Sequence, residues 1–100
     1  MRVISIRLLR RFWERRADSR GPLKAWYKTA RKAEWNSLQE ARMTYASADG
    51  VLNRRRETLT VFDIGGNKYR LVARIRYDWK LINIRCVLTH REYDLGSWKE

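Results

Sequence analysis

Residues 58–89, TLTVFDIGGNKYRLVARIRYDWKLINIRCVLT, decide the fold. Thr58 to Ile64 is β-branched and aromatic, Gly65-Gly66-Asn67 supplies a turn, and Lys68 to Asp78 alternates apolar with basic residues. A second turn near Asp78-Trp79-Lys80 leads into a further strand from Leu81 to Thr89. Three strands in hairpin sequence predict an antiparallel meander.

The chain before this stretch reads as helix. Met1 to Ser5 is a brief first strand, with Ser5 as the cap of the helix after it. From Ile6 to about Ala17, Ile6, Leu9, Phe12 and Trp13 recur at three- and four-residue spacing, while Arg7, Arg10, Arg11, Glu14 and Arg15 take the other side. Asp18, Ser19, Gly21 and Pro22 break this helix. Pro22 suits the first turn of a second one, whose stripe of Leu23, Trp26, Tyr27 and Ala30 runs to about Ala33. Trp35 to Tyr45 reads as a short third helix, with Asn36 and Ser37 as cap types and Glu40 three residues after Ser37. Ala46 to Glu57, which holds Asp49-Gly50 and Arg54-Arg55-Arg56, lacks periodicity and reads as a connecting loop. Early helices and late strands make an α+β domain, with the helical hairpin on one sheet face and the other face open.

Strand alternation sorts the side chains of that open face. Tyr69, Leu71, Ala73, Ile75 and Tyr77 share one side of the long strand; Lys68, Arg70, Val72, Arg74 and Arg76 share the other. In the next strand Ile82, Ile84, Cys86 and Leu88 form the apolar set, and Arg85 joins the basic face. Beyond it, Thr89-His90-Arg91-Glu92-Tyr93-Asp94 gathers the single histidine, a tyrosine, an arginine and carboxylates within six residues. Histidine titrates near neutrality and suits proton transfer. By parity His90 belongs to the apolar set, so it reaches the basic face only if the strand ends or twists before it.

Composition narrows the function classes. The 100 residues carry 23 Lys and Arg against 11 Asp and Glu, a formal charge of +12. One domain of this length builds a single modest core, which excludes a two-domain enzyme with a large cleft. The 44% hydrophobic content argues against a disordered basic tail. A lone Cys86 and a lone His90 assemble neither a disulfide framework nor a structural zinc site. With neither a secretory signal nor a transmembrane run, a cytoplasmic protein is expected, and its charge calls for a polyanionic partner, nucleic acid first. No GxGxxG, GxxxxGK[ST] or HExxH motif and no paired-Asp cluster is present; Cys86, amid apolar neighbours, reads as core.

Five segments in order carry a family likeness: Leu23 to Tyr27, Ala33 to Ser37, Tyr45 to Asp49, Val61 to Ala73 with its IGGNKYRL core, and Ile84 to Asp94 with THREYD. Together they resemble HigB-type toxins of bacterial type II toxin–antitoxin pairs, in the RelE-like superfamily. That resemblance implies a RelE-like α+β fold, an N-terminal helical hairpin on a small antiparallel sheet, spanning residues 1–100 as one domain. It implies an mRNA endonuclease without cofactor or metal, in which the ribose 2′-OH attacks the adjacent phosphate, usually on the translating ribosome. The implied partners are mRNA, the ribosome and its rRNA, and a HigA-like helix-turn-helix antitoxin in a hetero-oligomer, with no membrane. By motif, the resemblance points to His90, Tyr93, Arg70 and Arg85 as catalytic and to Lys68, Arg74, Arg76 and Asn67 as RNA-binding. Two readings of other classes stand beside it: a non-enzymatic basic RNA- or ribosome-binding protein, and a degenerate toxin that only binds its antitoxin.

Overall fold

Gly65 and Gly66 both take left-handed backbone, φ 64° and 74°, a conformation glycine adopts without steric cost. The chain there reverses in register, Val61 facing Val72 and Asp63 facing Arg70. The computed structural model describes all 100 residues. Its elements are β1 (Arg2–Ile4), α1 (Arg7–Arg15), α2 (Arg20–Lys32), α3 (Leu38–Thr44), β2 (Asp49–Leu52), β3 (Thr58–Ile64), β4 (Tyr69–Arg76), β5 (Leu81–Thr89) and α4 (His90–Leu95), with 3-10 turns at Ala17–Ser19 and Ser97–Lys99. The fold is α+β, with three of the four helices preceding the meander β3–β4–β5. No helix is long and apolar enough to cross a membrane.

The α1 and α2 stripes meet the sheet as their spacing requires. Leu9 and Phe12 of α1 and Leu23, Trp26 and Ala30 of α2 are buried with Phe62, Ile64, Leu71, Ala73, Ile82 and Ile84. Phe62 centres an aromatic cluster: Trp26 and Tyr45 meet it edge-on at 5.4 and 5.5 Å, and Trp35 stacks at 6.0 Å. Each such pair contributes about 0.5–1.5 kcal/mol beyond its burial. Ser37 caps α3 by accepting from the Glu40 N–H at 3.2 Å.

Four expectations are corrected. Strand order is β1-β5-β4-β3-β2, with β1 parallel to β5, so the sheet is mixed rather than wholly antiparallel. Residues 49–52, read as loop, form β2 against β3; so short and polar an edge strand has no alternation to detect. Ser5 does not cap α1: it takes left-handed backbone (φ 69°) and its hydroxyl pairs with Asn83 Oδ1. Finally, the second sheet face is not open along its length. Leu59, Val61 and Val72 are buried there, packed against Val51, Cys86, Leu88, Tyr93 and Trp98. Strand β3 is apolar on both sides, which demands cover on both faces. The C-terminal segment supplies that cover.

Strand β5 also breaks the parity read from its sequence. Val72 pairs with Cys86 but Ala73 with Ile84, so Arg85 is the extra residue of a β-bulge. Ile82, Ile84 and Val87 join the helix-side core, while Cys86 and Leu88 fall on the arginine side. The shift of one residue carries Cys86 and Leu88 to the basic face, while His90 lies beyond the strand end as the first residue of α4.

Candidate active site

Arg70 is the most constrained cation of that face, with 13% of its side chain exposed. Its strand partner Asp63 holds Nε at 3.2 Å, and Nη1 donates to the carbonyls of Asn67 (2.9 Å) and Tyr69 (3.2 Å). Nη2 is left without an intramolecular acceptor. The guanidinium carbon lies 5.5 Å from the Tyr93 ring centre, and that ring stacks on Trp98 at 4.9 Å. Trp98 Nε1 donates to the Tyr93 carbonyl at 2.9 Å, locking the stack. Burial, and then the nearby Asp49 carboxylate, push the Tyr93 phenol above its ordinary value. It therefore keeps its proton at neutral pH.

Helix α4 delivers the histidine. The Thr89 hydroxyl accepts from the Glu92 N–H (3.2 Å) and Glu92 Oε1 accepts from the Thr89 N–H (2.9 Å), a reciprocal capping box. His90 is thus the first helical residue, and its N–H donates to the Lys68 carbonyl at 3.2 Å, tying the helix start to β4. One turn on, Asp94 Oδ2 lies 3.0 Å from His90 Nδ1.

Arg74 and Arg85 form a second group. Glu57 Oε2 lies 2.9 Å from Arg74 Nη1 and 3.2 Å from Arg85 Nη2. The Asn53 amide bonds Oε1 at 2.9 Å, and that bond, then Arg85 and Arg74, holds the Glu57 carboxyl below its usual range. The other expected residues lie apart. Lys68 is paired with Asp18 at 3.1 Å; Asn67, in the hairpin turn, offers its carbonyl to Arg70; Arg76 pairs with Asp78 at 3.3 Å and lies over the Trp79 ring at 4.1 Å. Asp63, Asp94, Glu57 and Trp98 were not anticipated as site residues. Pairing the β3–β4 hairpin would have found Asp63, and the Thr89-x-x-Glu92 signature would have placed Asp94 one turn from His90.

Beside this face lies a depression of ≈570 Å³, walled by Cys86, Leu88, Leu95 and Trp98 with Arg85 and Glu92 at its edges. Burial pushes the Cys86 thiol up to about 11, so it is inert at neutral pH. No three His, Cys, Asp or Glu side chains converge in a way that could hold a metal ion.

Arg70 with a free guanidinium edge, the protonated Tyr93 phenol and, on the adjoining helix, the His90 imidazole beside Asp94 are the polar groups of this region. No curated protein matches the chain. A family model described as HigB_toxin, the RelE-like toxic component of a toxin-antitoxin system, matches residues 19–96. Covering more than half of the sequence, and agreeing with the α+β architecture, that match shows that the chain belongs to the HigB toxin family of toxin-antitoxin systems.

Proposed function

We propose that this toxin is an endoribonuclease that cuts mRNA on the ribosome and so stops translation. The observation that supports the reading is the packing of α4 on β4: the Tyr93 ring lies 5.5 Å from the Arg70 guanidinium, and the His90 main chain is bonded to Lys68 two residues before Arg70. The substrate's own 2′-OH is the nucleophile, so cleavage needs no metal: attack on the adjacent phosphate leaves a cyclic phosphate and expels the 5′-oxygen. His90 takes the proton of the 2′-OH as it attacks and returns it to the departing 5′-oxygen, with the Asp94 carboxylate 3.0 Å from its Nδ1. Arg70 Nη2 donates to a non-bridging oxygen as charge develops on the phosphorane, and Tyr93 adds a neutral donor. Arg85, held by Glu57 beside Arg74, is assigned to the flanking RNA rather than to the scissile phosphate. Lys68, Arg74, Arg76 and Asn67 complete the RNA contacts. A HigA-like helix-turn-helix antitoxin with an acidic patch silences the toxin in a hetero-oligomer.

Induction followed by primer-extension mapping of mRNA ends, with and without translation blocked, tests the reading. Cuts are expected within translated codons only. Arg70→Ala and His90→Ala should each lower cleavage by about 10²–10⁴-fold, the range for a lost proton-transfer or oxyanion-stabilising group. If both variants still arrest growth and cut mRNA at the wild-type rate, the site is misassigned.

A further inference from the structure

We propose that Arg74 and Arg85 form a second RNA-phosphate subsite, occupied in the free chain by the Glu57 carboxylate, which an RNA phosphate displaces. The inference rests on RNA being the ligand and adds a place where the strand beyond the scissile bond is held. Two guanidiniums from neighbouring strands converge on a single oxygen, Glu57 Oε2, at 2.9 and 3.2 Å. Like charges do not approach one oxygen unless an anion holds them there. The site is accessible, since Arg74 and Arg85 side chains are 42% and 37% exposed. The arginine ends of these pairs are solvent-exposed, which limits what the pairs add to folding. A phosphate oxygen presents the same acceptor with more charge and more lone pairs, and the planar forks suit it well.

Geometry also supplies a route for exchange. Glu57 keeps a partner when it withdraws, because its other oxygen is bonded to the Asn53 amide, and Asn53 in turn accepts from the Glu57 N–H at 2.8 Å. Its chain neighbour Arg56 takes left-handed backbone (φ 62°), a strained state for a residue with a side chain, so the loop gains by relaxing. The bulge at Arg85 is what turns that side chain toward Arg74 instead of along the regular ladder. Arg74 lies four residues from Arg70 on the same side of β4, about 13 Å at about 3.3 Å per residue. A strand gripped at Arg70 therefore presents a later phosphate to the pair, and the local concentration of that phosphate lets it outcompete Glu57. Arg54, Arg55 and Arg56, all exposed, sit on the same loop as the displaced carboxylate.

Binding of a short 2′-O-methyl RNA, which lacks the attacking hydroxyl, tests this on the full chain. Glu57→Gln retains an acceptor for Asn53 but frees both arginines, and should tighten binding by about three- to tenfold. Glu57→Asp, which conserves charge but shortens the reach, should shift binding in the same direction. Glu34→Gln, the same charge change at an exposed residue of the α2–α3 connection, should shift it by less than about twofold. The Glu57 gain should vanish in an Arg74→Gln, Arg85→Gln background, and the Arg74 and Arg85 Nε–H NMR signals should move when the oligonucleotide is added. The proposal falls if Glu57→Gln behaves like Glu34→Gln, or if its gain survives without the two arginines. A chain that shows the Glu57 effect yet fails to cut mRNA keeps this subsite and loses the nuclease; one that cuts mRNA without the effect does the reverse.

Discussion

Arg70 spends three of its contacts on staying in place: Asp63 at Nε and two main-chain carbonyls at Nη1. A lysine has one nitrogen and cannot both accept that anchoring and reach outward, so Arg70→Lys should fail as completely as Arg70→Ala. Tyr93 has two separable parts, a ring that packs against Arg70 and Trp98 and a hydroxyl that stays protonated and is proposed as a donor to the substrate. Tyr93→Phe keeps the ring and removes only the donor. Cleavage should fall by about 10- to 100-fold, while the urea midpoint moves by the equivalent of less than about 0.5 kcal/mol. A parallel loss of both would make Tyr93 a packing residue.

At the scale of the element, α4 is too short to be helical by itself, because nucleation of six residues is unfavourable in water. It persists through the Thr89–Glu92 capping box, the left-handed Gly96 at its end (φ 78°) and the Tyr93–Trp98 stack. Thr89→Ala removes the cap and should cost about 1 kcal/mol in chemical denaturation. Because the same helix sets the His90–Asp94 pair, cleavage by this variant should fall by more than the global stability loss explains. Hydrogen exchange in residues 90–95 should rise selectively; exchange rising evenly across the chain would place the cap's role in the fold as a whole. The bulge in β5 belongs to this scale too, since one inserted residue decides which side chains accompany Arg70.

For the whole molecule, the +12 charge is only partly free. Glu57 and Asp18 each neutralise cations around the sheet, and Asp18, bonded by the Tyr69 hydroxyl at 2.5 Å and by Lys68, also joins the turn after α1 to β4. Both carboxyls are held below their usual range, Glu57 first by Asn53 and Asp18 first by Tyr69. A carboxyl whose folded value is depressed binds its proton more readily when unfolded. Its contribution is therefore present above the ordinary 4.5 and 3.8 and is lost as pH falls through the folded values. Thermal melts should show stability dropping with acid across that window, and Asp18→Asn should flatten the drop. An unchanged acid limb in that variant would show that Asp18 gains nothing from its partners in the fold.

The meander was legible because β3, β4 and β5 carry strong strand chemistry between unambiguous turns, and the boundaries of β3 and β5 coincide with those read from residues 58–64 and 81–89. The helix stripes were legible for the same reason: period and composition are local properties. What the residues alone could not reveal is relational. Counting alternation along β5 sent Cys86 and Leu88 to the wrong side, because a bulge is created by the partner strand's register and leaves no mark in an otherwise regular pattern. The covering of the second face, and the meeting of Glu57 with Arg74 and Arg85, likewise depend on segments distant in sequence. Local periodicity thus determined the first three helices and the three strands of the meander, and the family likeness of the motifs supplied the candidate residues. Tertiary packing decided which face each residue serves, because a single added residue in a strand reverses every side chain beyond it.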